Sequence, residues 1–340
     1  MTRSQLDRLP LTCSLVAWTA ALSLAGGCAP PAADQSRGAN SAGPSELQAW
    51  SDDPKSAGVE PAFPDLAPSD GQDPADDTED DTGPGGVYPA DLSIGDDAAA
   101  DAFCAAGYTG IAGSLRMGEA VTSTVGLACL QSVGGALQIE SAFGLASIEP
   151  FEDLTWIGGD LRVANLPHLQ WADPFPVLQS IGGDLVIEAL SATSGIDGLQ
   201  ALGSVGGRVA ILDNGAAITI TMAPNLRRVA GDVEIVWNRH ARTVALLDAL
   251  QVVRGSVIIE GMNAVESLYS MAGLERIEGD LHVIENDQLR DLDGALSIDR
   301  IEGDVRIERN RHLEPEAIQR FLSYGAEFVD GQILVSDNGA

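Results

Sequence analysis

Positive charge is what this sequence has least of. Lys and Arg together number 19 against 50 Asp and Glu, a formal net charge of −31 over 340 residues. So acidic a chain repels phosphate backbones and anionic lipid, which sets nucleic acid aside as a partner. Histidine is scarce too, at four residues, and so is cysteine, also four. Motifs that carry common chemistries are missing: there is no Gly-rich phosphate loop, no Gly-x-Ser-x-Gly elbow and no His-Glu-x-x-His pair. The apolar stretch Leu15–Leu24 falls short of the roughly 20 residues that a membrane-spanning helix needs.

What the N-terminus does have is the pattern of an export signal. Arg3 and Arg8 precede the apolar stretch, and Leu24-Ala25-Gly26-Gly27-Cys28 follows it. Small residues ahead of a cysteine at that place resemble the lipobox of bacterial lipoproteins. The resemblance implies cleavage before Cys28 and acylation of its thiol and new amino group. Leu24 stands one residue further from the cysteine than the usual pattern has it, and the alternatives are an ordinary secretory signal with an incidental Cys28 or a retained membrane helix. Residues 1–27 are then signal peptide, and Ala29 in place of Asp points to the outer membrane. Residues 28–100 are rich in Pro, Ala, Ser, Gly and Asp. Residues 29–103 hold 17 acids and two bases, and such a stretch cannot bury enough apolar surface to offset its ordering entropy. It reads as a self-repelling tether. The run Asp76–Asp81 lacks the spaced ligands and turn glycine of a calcium loop. Cys104 and Cys129 remain as an even pair. In an oxidising compartment they are expected to form a disulfide, and two cysteines are too few for structural zinc.

From Ile111 onward the chain repeats. With an aliphatic residue as position zero, the series Val133, Ile157, Ile181, Val205, Val229, Val253, Ile277 and Ile301 advances by 24 residues at each step, with Ile111 22 before it and Val329 28 after it. Position two is glycine throughout, from Gly113 to Gly331, and positions four and six are apolar. A turn followed by a period-two strand fits this spacing, while apolar residues at every third place before it (Ile148, Phe151, Leu154, Ile157) suit 3₁₀-like corners. The expected fold is mainly β: a right-handed parallel β-helix of about ten coils over residues 101–340. The glycine column reads as a left-handed or crowded corner. Asn214, Asn238, Asn286, Asn310 and Asn338, nine past zero, suggest a side-chain ladder at a second corner. A disulfide cap is expected at the N-terminal end. At the C-terminal end the segment from Pro315 to Leu322 reads as a capping helix, followed by a closing strand at 333–335.

The motifs Ile157-Gly158-Gly159-Asp160-Leu161-Arg162-Val163, Ile277-Glu278-Gly279-Asp280-Leu281-His282-Val283 and Ile301-Glu302-Gly303-Asp304-Val305-Arg306-Ile307 resemble the receptor L domain. That family forms the ligand-binding lobes of insulin- and epidermal-growth-factor-type receptors and occurs in fungal wall proteins and bacterial lipoproteins. The resemblance covers roughly residues 104–340 and implies a leucine-rich-repeat-like β-helix with a binding habit. No cysteine-rich module or kinase accompanies it, so signalling by dimerisation is not implied, and fold does not fix function.

Catalysis or metal binding needs columns whose side chains converge. His168, His240 and His312 share one column but stand three coils apart, roughly 14 Å at strand spacing, so they cannot share a metal. His282 lies elsewhere, and no metal or cofactor is expected. The position-three aspartates, Asp160, Asp184, Asp232, Asp280 and Asp304, pair closely enough for acid–base work or calcium. Their recurrence favours backbone hydrogen bonding instead. The remaining candidate is the outward sheet face, expected to turn apolar and exposed in the middle coils at Val186, Ala210, Leu212, Val236, Ile258 and Ile284, with Trp237 at the rim. The resulting expectation is a non-enzymatic, lipid-anchored envelope protein binding a protein or glycan partner. The alternatives are a self-associating structural protein, with the face covered by a dimer mate, and a carbohydrate-active β-helix using paired Asp.

Overall fold

The computed structural model describes residues 86–171, 173–325 and 327–339; the signal, Cys28 and most of the tether lie outside them. The described chain winds through parallel sheets in which strand order follows turn order. The main sheet has eleven strands, running from Leu92–Asp96 and Leu115–Ala120 to Val305–Glu308 and Ile333–Ser336. Its register keeps the 24-residue step: Leu161 pairs with Leu185, Leu185 with Val209 and Val209 with Val233. These four side chains are at most 1% exposed. Burying each is worth about 1.5–3 kcal/mol, which is why the aliphatic columns specify the fold so strongly. A second, ten-stranded sheet carries position zero, from Gly86–Tyr88 to Arg300–Ile301.

Two details depart from the sequence expectation. The stack has one turn more than expected, because Gly86–Tyr88 and Leu92–Asp96 already form paired strands, inside the stretch assigned to the tether and ahead of the boundary at residue 101. Tyr88 takes position zero, Leu92 and Ile94 take positions four and six, and Asp91 takes position three. The repeat pattern does not show this turn because Ala90 occupies the glycine column. A glycine is needed only where another turn lies beneath, and this is the first of the described turns. The second departure is a three-stranded sheet, Gly195–Gly198, Thr219–Met222 and Thr243–Val244, on the third side of the middle turns. Elsewhere that side carries 3₁₀ turns such as Val125–Leu127, Tyr269–Gly273 and Asp293–Ser297.

The two corners of each turn work differently. The glycine column is crowded, not left-handed. A β-carbon on Gly159 would meet the Ala136 nitrogen and the Gly135 carbonyl carbon at 2.9 Å, closer than real contacts allow. The left-handed corner lies at position eight, where Ser141, Asn165, Ala189, Asp213, Trp237, Gly261, Glu285, Arg309 and Asp337 all have φ between 50 and 66°. That conformation costs non-glycine residues of order 1–3 kcal/mol, offset from Ser141 to Arg309 by a regular bond from the position-eight N–H to the position-seven carbonyl of the next turn, as from Asn165 to Glu188 and Trp237 to Glu260. The kink swings position nine inward, and Asn214, Asn238, Asn286 and Asn310 there are fully buried. Asn286 Oδ1 accepts from Met262 N–H at 3.0 Å and its Nδ2 donates to the Ile259 carbonyl at 2.9 Å. Asn310 Oδ1 in turn accepts from Asn286 N–H. The expected ladder is present, and it satisfies backbone groups that the corner would otherwise bury unpaired.

The capping elements expected at the two ends are both present, with the strand Ile333–Ser336 as the last of the main sheet. Helix α1, Asp97–Ala105, is capped by Asp96, whose side chain accepts from Ala99 N–H. A disulfide from Cys104 at its end to Cys129 ties it to the following turn. Helix α2, Pro315–Gly325, buries Ala317 and Phe321 against the last turns. No helix among the described residues is long and apolar enough to cross a membrane.

Candidate binding face and its flanking corner

The outward face of the main sheet is built from three columns, positions three, five and seven. Position three is occupied mostly by Asp or Ser, and each acts on the backbone of the next turn. Asp160 Oδ1 accepts from Asp184 N–H at 2.8 Å, Asp184 from Arg208 N–H, Asp232 from Ser256 N–H, Asp280 from Asp304 N–H and Asp304 from Gln332 N–H. Ser114 and Ser256 do the same with their hydroxyls. The aspartate column is thus a hydrogen-bonding seam. Among the described residues no group of three or more His, Cys, Asp or Glu could hold a metal ion. His240 and His312 each place Nδ1 against a backbone carbonyl of the preceding turn, Gly215 and Asp287 respectively.

Positions five and seven form an alternating mosaic. Arg162 reaches Glu140 on one side and Glu188, at 2.8 Å, on the other. Arg208, in column three, bridges Asp184 at 3.1 Å and Glu234 at 3.2 Å. Burial works against the charge of Arg208, but these two carboxylates outweigh it and its pKa stands above the usual guanidinium value. Arg306 pairs with Glu308 at 3.0 Å.

This mosaic corrects the expectation of a continuous exposed apolar surface. Val186, Ala210 and Ile284 point outward yet are only 3%, 0% and 6% exposed. Val186 and Ala210 lie in register between Arg162 and Glu234 and beside Arg208 and Glu188. Ile284 lies between Glu260 and Glu308. Long charged side chains can lay their stems over shorter apolar neighbours, and sequence alternation alone does not show it. What stays half-exposed is smaller: Leu212, Val236, Trp237 and Ile258. Leu212 and Val236 are register partners on adjacent strands, and Ile258 pairs with Glu234 one column over.

Trp237 holds this patch's rim in the left-handed conformation, φ 59°. Its ring lies so close to Gly261 that a β-carbon there would meet ring carbons, and the Arg239 guanidinium sits 5.1 Å from the ring centroid. Beyond it lie two open depressions along the corner that sequence reading missed. One, of about 590 Å³, is lined by Trp237, Arg239, Asn263, Asp287 and Arg311 among others; the other, of about 610 Å³, by Asp213, Ile218 and His240 among others. The signal for the first was the position-ten column, Arg239, Asn263, Asp287 and Arg311, which on sequence alone looks like any solvated loop.

Comparison with known proteins gives one family. The receptor L domain model matches residues 225–323, a stretch that contains Trp237, Val236 and Ile258. No curated protein and no solved structure matches the chain. Over residues 225–323, a segment inside the parallel stack, the chain is therefore similar to the receptor L domain.

Proposed function

We propose that this protein is a non-enzymatic binding module, carried outside a membrane on an acylated Cys28 and an acidic tether, whose contact surface is the Leu212–Val236–Trp237–Ile258 patch. Its partner is a protein. The observation that carries this reading is the patch itself: half-exposed aliphatic side chains on successive strands, edged by a tryptophan and ringed by ion-paired charge. Apolar centres with polar rims, anchored by Trp, are where binding energy concentrates in protein interfaces. The family match supports it, since receptor L domains are typically ligand-binding and not enzymes. The seam role of the aspartate column supports it too, because each carboxylate already serves a backbone N–H.

The test is capture from an envelope extract on the full-length chain, with wild type compared to Leu212→Asp/Ile258→Asp. One defined protein retained by wild type and lost in the double variant is the expected result. Equal retention by both would overturn the assignment of the face, and retention only of polysaccharide would replace the protein partner with a glycan. Separately, intact mass of membrane-extracted material should show acyl chains on Cys28; an unmodified cysteine would remove the anchor from the proposal.

A further inference from the structure

Each turn passes its hydrogen bonds to the next. The position-four N–H donates to the position-three carbonyl of the following turn, as from Leu281 to Asp304 at 2.9 Å and from Val305 to Gln332 at 2.8 Å. At the far end Arg309 N–H donates to the Ser336 carbonyl. These bonds fix the alternation along the last strand. The peptide groups of Leu334 face the preceding strand, and the N–H and C=O of Ile333 and Val335 face away from it. Among the described residues no strand follows.

The two ends of the main sheet are not alike. At the N-terminal edge Leu92–Asp96 has a register shift between Ile94 and Asp96 and contains Gly95 and a terminal charge, and the neighbouring edge strand Gly86–Tyr88 has a shift of its own and is followed by Pro89. Bulges, Pro and charge are the devices that stop an edge from pairing. The C-terminal edge has none of them. Ile333-Leu334-Val335-Ser336 pairs with Val305–Glu308 without a shift and is uncharged. Ile333 and Val335 belong to columns that are at most 3% exposed from Leu115 and Met117 to Val305 and Ile307, yet here they are half-exposed, and Leu334 is 50% exposed.

We infer that Ile333–Ser336 is a homodimerisation edge, pairing antiparallel with the same strand of a second copy about a two-fold axis at Leu334. The strand is self-complementary in that arrangement. Its two outward-facing peptide units, at Ile333 and Val335, become mutually hydrogen-bonded pairs, each residue exchanging two bonds with the other's copy. Outward side chains meet outward ones, and Ile333 meets Val335, so the aliphatic columns continue through the junction. Gln332 comes opposite Ser336, and Asp330, already paired with Arg300 at 2.6 Å, comes opposite Asn338. No like charges oppose each other, even in so acidic a chain. An axis at Ile333 or Val335 leaves one of the two aliphatic residues facing Gly331 or Asp337, so Leu334 is the centre.

Sedimentation of the full-length chain over a range of concentrations should show a monomer–dimer equilibrium. Leu334→Lys places two ammonium groups face to face and should raise the concentration needed for dimer by about tenfold or more, with unchanged circular dichroism because Leu334 is surface-exposed. Leu212→Asp, in the proposed binding face, should leave the equilibrium unchanged, which separates this inference from that reading. Leu334→Cys should oxidise to a covalent dimer, since residues in that non-hydrogen-bonded pair have Cα atoms roughly 4.5 Å apart. Arg306→Cys, one strand in and in the same column, should not. A monomer at every concentration, a dimer indifferent to Leu334→Lys, or oxidation of Leu334→Cys no faster than of Arg306→Cys would each overturn the inference.

Discussion

The carboxylate of Asp160 lies where a β-carbon on Gly183 would have to be. The two residues belong to successive turns, and the same Oδ1 accepts from Asp184 N–H at 2.8 Å. The arrangement recurs between Asp184 and Gly207, Asp232 and Gly255, and Asp280 and Gly303. Glycine at position two and aspartate at position three are therefore one device, in which a seam bond occupies the space that a missing side chain leaves.

Gly183→Ala should consequently be costly, by about 2–3 kcal/mol, as overpacking against immovable neighbours is. Replacing Asp160 by Ala in the same chain should recover only part of that, because the Gly159 carbonyl carbon also lies 2.8 Å from the new atom. Gly215→Ala, with nothing within 4 Å, should change stability by less than about 0.5 kcal/mol. Denaturant unfolding of the three variants checks this, and equal costs at 183 and 215 would refute it.

Asn286→Leu keeps volume in the core but orphans Met262 N–H and the Ile259 carbonyl, both bonded to the asparagine side chain. The expected loss is about 2–4 kcal/mol, the penalty for two buried unsatisfied groups. Asn225→Leu, whose amide only reaches the Gln200 carbonyl at an exposed site, should cost far less. Thermal unfolding distinguishes the two.

Acid should open the N-terminal turns first. Burial pushes the Glu149 carboxyl up, but bonds from the Thr124 N–H and hydroxyl and from Ser147 outweigh it and hold the group below its ordinary value. The Thr122 hydroxyl, then the N–H groups of Thr122 and Ser123, lower Asp97 likewise. Between the folded and unfolded values the unfolded chain binds the proton and the folded chain does not. Their contribution is therefore complete above the ordinary carboxylate range and is lost as pH falls through the depressed folded values. Amide exchange at Thr122 and Thr124 should accelerate on acidification and lose most of that response in Asp97→Asn/Glu149→Gln; the same slope in the double variant would count against it.

Reducing the Cys104–Cys129 bridge, whose ends are separated by 25 in sequence, should remove about 3 kcal/mol. In a stack whose turns touch only their neighbours the loss should stay local. Hydrogen exchange should rise in residues 92–139 and hardly at all beyond Val205; a uniform rise along the chain would show a cooperative unit larger than this predicts.

Much of this was legible in advance because each turn repeats the same inward residues at the same spacing. Leu161, Leu185 and Val209 announce parallel neighbours, and Asn214, Asn238 and Asn286 announce a buried ladder, since a polar residue recurring at a corner has backbone to satisfy. The first turn was hidden because Ala90 breaks the glycine column exactly where no described turn lies below to require it. The binding face was read too large. Val186 and Ala210 alternate as surface residues should, but whether such a residue meets water depends on how far Arg162 and Arg208 lean from neighbouring turns.

The sequence by itself determined the number of residues per turn, the inward columns, the seam of aspartates and the two capping ends, because these are local choices repeated until no other packing can satisfy them. Only the tertiary structure decided which outward side chains are covered, which corner is left-handed, and which way the peptide groups of the last described strand face. Those depend on contacts between residues two dozen or more apart, where side-chain reach and the register of the neighbouring turn matter more than residue type.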